Sequence, residues 1–312
     1  MTDEDQRIQE LHTKGIGGSM IPAIMGVSPF DTAYSLWARI IGLTPPVEET
    51  PQMARGKRFE HIVIEDLARR SQHEVKACGW DDLIVTDRYG FPMVAKLDAY
   101  VYDDDGAQVG EAKTTTWRQA ESWMGEEPPV HVAAQGYWYT AAADCRRAYI
   151  ACRWGLEDDD MAYFVQERNE HAIERMLSKA RTFWNEYVVT REPPPVTGKK
   201  ADVEAVKTVL ARSKPIEVAL PKELLADLDT YMTLKGVVAE SEERLAEVTN
   251  RIKLAMGEGE AAQLGPYRVS WKSQSPKLVL ESARLKAEQP DVWAKYTKEA
   301  QVSRPFIVKE AK

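Results

Sequence analysis

The sequence predicts a mixed α/β domain followed by a largely helical extension, and three observations carry that expectation. Residues 52–71 place Phe59, Ile62, Val63 and Leu67 on successive turns of one amphipathic helix. Residues 93–102 (MVAKLDAYVY) and 107–116 (AQVGEAKTTT) read as two paired strands around a DDDG turn. Pro193, Pro194 and Pro195 stop a helix and favour an extended linker.

The other elements follow in chain order. Ser19 to Met25 reads as a short helix after a Gly-rich entry, and residues 31–41 as a helix capped by Asp31 or Thr32. PPVEETPQ is a loop. Residues 130–143 are apolar and Ala-rich, as in a buried helix, and 146–154 and 161–168 read as strands. Ile173, Met176, Leu177, Ala180, Phe183, Trp184 and Tyr187 recur at helical spacing before the prolines. Beyond them, residues 221–256 read as a long helix ended by Gly257. Leu224, Tyr231, Val238, Leu245 and Ile252 lie seven apart, but the second seam position is poor (Asp227, Leu234, Ser241, Val248). The pattern favours a helix packed on its own domain over a coiled coil. A strand at 266–272, a helix around 280–299 and a final strand at PFIVK complete the expectation. The domains are then 1–192, a Pro-rich linker at 193–220, and 221–312.

Composition narrows the function classes. With 312 residues, 44% hydrophobic and 29% charged, the chain reads as an ordinary water-facing protein. No apolar run approaches the ~20 residues that span a bilayer, and the acidic start MTDEDQRIQE is unlike a signal peptide. A cytosolic protein with no membrane partner is expected. Cys78, Cys145 and Cys152 form no CxxC pair, so a structural zinc or an iron–sulfur cluster has no obvious ligand set. A net charge of −8 counts against a uniformly basic DNA-coating surface and leaves room for a local basic channel.

The hairpin carries the chemistry. Glu111 and Lys113 are two residues apart on one strand and project from the same face, while Ala112 points to the other. Asp98 lies on the partner strand inside the apolar run LDAYVY, where an unpaired acid is costly. Two converging carboxylates repel unless a cation lies between them. Asp98, Glu111 and the Ala112 carbonyl offer the oxygen ligands that Mg²⁺ prefers, and Lys113 beside them could stabilise developing charge. An ExK pair alone is weak, since most such pairs are solvated strand edges. Glu60 in RGKRFEHIVIE has the bland reading of a surface helix acid. Gln135, polar in the apolar stretch HVAAQGYWY, has that of a satisfied core amide. Arg55, Lys57 and Arg58, with Trp117 and Arg118, could hold phosphates and stack on bases, or be ordinary surface charge and packing.

Together, GIGGS at 15–19, RGKRFE at 55–60, LDAY at 97–100, EAKTT at 111–115 and QGYWY at 135–139 resemble the YqaJ-type viral recombinase family. That family belongs with the bacteriophage lambda exonuclease among the PD-(D/E)XK nucleases. The resemblance covers residues about 12–190. It implies a PD-(D/E)XK core, a central mixed sheet flanked by helices, and a 5′-to-3′ exonuclease that leaves 3′ single-stranded tails on duplex DNA. It implies Mg²⁺, with Mn²⁺ as the alternative, bound by Asp98, Glu111, Ala112 and Glu60. Lys113 matches the catalytic lysine, Gln135 a glutamine lining the site, and Ser19 a serine near a 5′-phosphate pocket, with Lys14 nearby. It also implies a ring-shaped homotrimer, a single-strand annealing protein as partner, and a phage or prophage origin in a bacterial cytoplasm. The chain departs from the pattern at Ala99, Met20 and Ala133, and only His12 and Lys14 stand where relatives carry an arginine. The competing expectations are an endonuclease of the same superfamily, a CRISPR-adaptation nuclease, which usually needs a cluster these cysteines do not supply, and a non-catalytic DNA-end-binding protein.

Overall fold

The computed structural model describes residues 10–11, 14–298 and 304–309; His12 lies outside them. The chain divides into two compact units, the boundary falling between Leu210 and Ala211.

The first unit is built on two sheets. After a two-residue strand β1 (Ile16–Gly17) come a 3₁₀ turn (Gly18–Met20) and the short helix α1 (Ile21–Met25). Helix α2 (Ala33–Ile40) starts at Thr32, whose side chain accepts from the Ser35 amide, so Thr32 and not Asp31 is the cap. Helix α3 (Pro51–Ser71) is capped by Thr50 with Pro at its first position, and Gln72 closes it in a left-handed conformation. Strands β2 (Glu74–Ala77), β3 (Ile84–Thr86), β4 (Met93–Ala95), β5 (Ala99–Asp103) and β6 (Gly106–Thr114) follow. Helix α4 (Val130–Ala143), strands β7 (Arg147–Arg153) and β8 (Met161–Glu167), helix α5 (Glu170–Thr182) with a π-helical turn (Phe183–Val188), and helix α6 (Lys200–Val209) complete the unit.

The main sheet has the order β2-β5-β6-β7-β8. Only β6 and β7 run parallel, so the sheet is mixed; a smaller sheet has the order β1-β4-β3. Side-chain alternation sorts the main sheet into two faces. Val101, Ala112, Tyr149 and Ala151 pack under Val63 and Leu67 of α3. Val109, Ala148, Ile150 and Cys152 face the larger core with Trp138 of α4 and Met176 of α5. This is a mixed sheet flanked by helices, as the family resemblance implied.

Helix α3 reaches the sheet at a glycine. A Cβ on Gly110 would lie 2.9 Å from Leu67 Cδ2 and 3.1 Å from Ala99 Cβ, and Leu67 is itself fully buried. Gly110→Ala is therefore expected to cost about 1–3 kcal/mol by overpacking. Urea titration should show a lower midpoint at unchanged slope.

Three expectations for this unit need correction. Residues 93–102 are not one strand: β4 and β5 lie in different sheets and the chain breaks at Lys96–Asp98. Asp98 therefore sits at the mouth of β5, not within a strand. The presumed linker is partly folded, since α6 packs on α2. Its buried Asp202 accepts from Thr32 Oγ1 and from the amide and hydroxyl of Thr197 (2.5 and 2.6 Å). The first unit accordingly runs to Leu210, beyond 192.

The second unit contains α7 (Leu225–Met256), the hairpin β9 (Ala261–Leu264) and β10 (Tyr267–Ser270), and helices α8 (Ser282–Glu288) and α9 (Pro290–Tyr296). No residue of α7 is buried, and the helix meets the rest of its unit through partly exposed contacts, with the Tyr231 ring against Phe306 and Lys253 Nζ over the Trp271 ring. The helix expected at 280–299 is two short ones split at Pro290, and the described residues 304–309 form no strand. Among the described residues, no helix is long and apolar enough to cross a membrane.

Candidate active site

The end of β5 opens the site. Pairing of β5 with β6 stops at Ala99 opposite Gly110, whereas β6 stays paired with β7 from Val109 to Thr114. Residues 111–114 thus have one covered edge and one open edge. Asp98 fills the open edge: its Oδ2 accepts from the Ala112 amide at 2.9 Å. Strand geometry puts the amide and carbonyl of one residue on the same edge, so the Ala112 carbonyl also opens beside Asp98. The Asp98 carbonyl accepts from Cys78 N at 2.9 Å, which anchors the break to β2.

Glu111 is the unusual residue. It is 1% exposed, and its Oε1 meets Lys113 Nζ in an ion pair. Its Oε2 is buried with no hydrogen-bond partner. A buried carboxylate oxygen without a partner is costly. Burial, then the charge of Asp98, push the Glu111 carboxyl up to about 8; Lys113 opposes this and Glu60 adds to it. The Lys113 ammonium is held above its usual value by Glu111 and Asp98, which outweigh its burial. Glu60 of α3 is half-buried and near enough for its charge to reach Glu111. Of the four residues that sequence reasoning grouped, Glu111 and Lys113 are in contact, Asp98 is bonded to the Ala112 amide between them, and Glu60 is near enough for its charge to act on Glu111.

Helix α4 closes the site from the side. His131, Gln135 and Tyr139 recur every four residues and share one helix face. Gln135 is buried, and its side chain forms no hydrogen bond among the described residues. Tyr139 is buried, and its phenol is raised well above its ordinary value by burial and by the charges of Glu111 and Asp98. The His131 imidazole is held down by burial and by Lys113. The motif reading missed His131 and Tyr139 as site residues; the four-residue spacing from Gln135 was the available signal. A Cβ on Gly18 would lie 2.6 Å from the Tyr139 ring, so the 3₁₀ turn lies directly on it. That turn carries Ser19, exposed at the site's margin.

The remaining named residues lie further out. Arg55 donates from Nη2 to the Thr115 carbonyl at 2.9 Å, tying α3 to the end of β6. Arg58, Arg118 and Lys14 are exposed, and Trp117 is 63% exposed just past β6.

The donor set fits a hard divalent cation. The Glu111 oxygen without a partner, the Asp98 carboxylate and the Ala112 carbonyl are oxygen donors, the kind that such a cation takes. The Lys113 ammonium pairs with the Glu111 carboxylate, where it offsets charge. Among the described residues, no three His, Cys, Asp or Glu side chains already form a metal-ligand cluster, so Glu60 would complete the set by side-chain movement. A pH dependence follows. The Glu111 pKa is raised on folding, so its contribution to metal-free stability is fully present below the unfolded value and is lost as pH rises through about 8. A cation favours the ionised form, so Mg²⁺ should raise the melting temperature more at pH 8 than at pH 6. Paired melts in Mg²⁺ and in EDTA check this; an equal shift at both pH values contradicts it.

Residues 8–146 match the model of the YqaJ-like viral recombinase domain. The uncharacterized protein YqaJ of Bacillus subtilis strain 168 is 27% identical over 303 residues, 95% of this chain and 92% of that protein. Among solved structures, the alkaline exonuclease LHK-Exo of Laribacter hongkongensis is 18% identical with a TM-score of 0.49, over 60% of this chain and 94% of that one. A phage-related exonuclease from Haemophilus somnus 129PT is 12% identical with a TM-score of 0.42, over 59% of this chain and 99% of that one.

Proposed function

From the YqaJ-like viral recombinase domain carried by residues 8–146, we propose that this chain is a metal-dependent exonuclease acting on linear duplex DNA. The observation that carries the reading is the buried Glu111 carboxylate, with one oxygen on Lys113 and the other without a partner, beside Asp98.

A divalent cation, Mg²⁺ or Mn²⁺, supplies Lewis-acid polarisation of a phosphoryl oxygen when bound. Asp98, Glu111 and the Ala112 carbonyl would hold it, with Glu60 at its margin. Lys113 stands two residues from Glu111 on the same strand face and stays charged. Its ammonium orients the attacking water and stabilises the negative charge that grows on the phosphate. Gln135 and Tyr139 wall the site and exclude bulk water. Arg55, Arg58, Arg118 and Lys14 offer phosphate contacts, Ser19 a place for the end phosphate, and Trp117 a stacking face. Their basic charge is local in a chain of net charge −8.

The finer reading follows the family resemblance: 5′-to-3′ polarity, 3′ tails, a ring trimer around DNA, and hand-over to a single-strand annealing protein in a bacterial cytoplasm. Digestion of 5′-labelled, 3′-labelled and closed circular duplexes in Mg²⁺ tests it. Early release of the 5′ label with the circle left intact is expected. Early loss of the 3′ label reverses the polarity, cutting of the circle makes the protein an endonuclease, and binding of ends without cleavage removes the enzyme reading.

A further inference from the structure

Phe30 is 76% exposed, yet the turn that carries it is firmly held. The Ser28 hydroxyl accepts from the amides of Phe30 (3.1 Å) and Asp31 (3.0 Å). Lys199 Nζ donates to the Ser28 and Gly26 carbonyls (3.2 and 3.4 Å), and Thr32 is tied to the buried Asp202. Two groups from the segment after the prolines therefore fix this loop. A loop pinned at both ends holds its tip residue in a set place, so the Phe30 ring pays little conformational entropy on contact. Its ring meets His131 edge-to-face, with centroids 6.3 Å apart. His131 is one helical turn before Gln135 on the face of α4 that walls the acid cluster, and the Lys113 charge reaches it. An exposed aromatic is unremarkable singly. Here it belongs to a ring pair whose second member, His131, is within reach of the Lys113 charge.

We propose that Phe30, backed by His131, is the stacking seat for the base next to the scissile phosphate. The inference rests on the nuclease reading and adds the surface that receives the nucleobase. The exposed Phe30 ring offers a π-face, which takes any base, so the seat is sequence-tolerant. A base there sets the register of the strand end against Lys113.

Steady-state digestion of linear duplex DNA by the full chain in Mg²⁺ tests this. Phe30→Ala should raise KM about tenfold with kcat within about twofold, the signature of lost uniform binding. Phe30→Trp should restore KM to near the wild-type value, and His131→Ala should shift KM the same way by less. In Ca²⁺, used to hold the complex uncut, wild type but not Phe30→Ala should quench 2-aminopurine placed at the strand end. Exposure of Phe30 makes misfolding a minor concern, and a melt checks it. Wild-type KM in Phe30→Ala, or no rescue by Trp, overturns the seat while leaving the nuclease reading standing. A wild-type protein that neither binds nor cuts the duplex overturns both.

Discussion

Lys113→Ala is expected to lower Mg²⁺-dependent hydrolysis of duplex DNA by about 10²–10³-fold with the fold retained. The magnitude is that of removing one charged group aimed at developing transition-state charge. The fold should survive because Glu111 can take up a proton when its cation partner is gone; its carboxyl already lies far above the ordinary range. Lys113→Arg keeps the charge but replaces a compact ammonium by a planar fork, so it should recover only part of the rate. Circular dichroism and melting curves run beside the digestion assay separate lost chemistry from lost structure. A Lys113→Ala protein that is folded and fully active would remove the lysine from the mechanism.

Glu111→Gln should act differently. The amide keeps the shape and volume of the side chain but carries no charge to hold a cation. Loss of several kcal/mol of metal-assisted stabilisation corresponds to a fall on the order of 10³-fold in rate. The Mg²⁺-induced rise in melting temperature should disappear as well, whereas Lys113→Ala should retain it. In EDTA at pH 8 the variant should melt no lower than wild type, because the carboxyl it replaces gives up stability as it ionises there. Thermal melts with and without Mg²⁺ check both statements. A Glu111→Gln protein that still gains stability from Mg²⁺ would place the ion elsewhere.

Much of the fold was legible because its elements obey simple periodicities. Helix α3 matches the amphipathic stretch to within a residue, α4 spans the apolar segment 130–143, and β6, β7 and β8 fall where alternation put them. The break at Asp98 was not legible. MVAKLDAYVY contains no glycine or proline, and what divides it is pairing: β4 joins β1 and β3 while β5 joins β2 and β6. Strands β2 and β3 were missed because stretches of three or four residues carry too little pattern, and their partners decide them. Helix α6 was hidden behind three prolines, and its reason for packing, Asp202 on Thr32, is a contact across 170 residues.

The site was legible in part for the same reason. The spacing of Glu111 and Lys113 on one strand is weak by itself and gains weight from Asp98, an acid in apolar surroundings. The unpartnered Glu111 oxygen could not be read from sequence, because it depends on which side chains pack over that face of the sheet. Tyr139 was hidden in plain apolar company. Its place beside the acids depends on the rotation of α4, which Trp138 fixes by donating to the Val94 carbonyl at 2.9 Å.

We propose that Asp98, Glu111 and Lys113 form one metal-dependent site for phosphodiester cleavage. Release of acid-soluble nucleotide from linear duplex DNA, measured in Mg²⁺ and in EDTA, tests it most directly. Steady release in Mg²⁺ that stops on chelation and is absent from Glu111→Gln is the predicted result. Equal release in EDTA, or full release by Glu111→Gln, would contradict it.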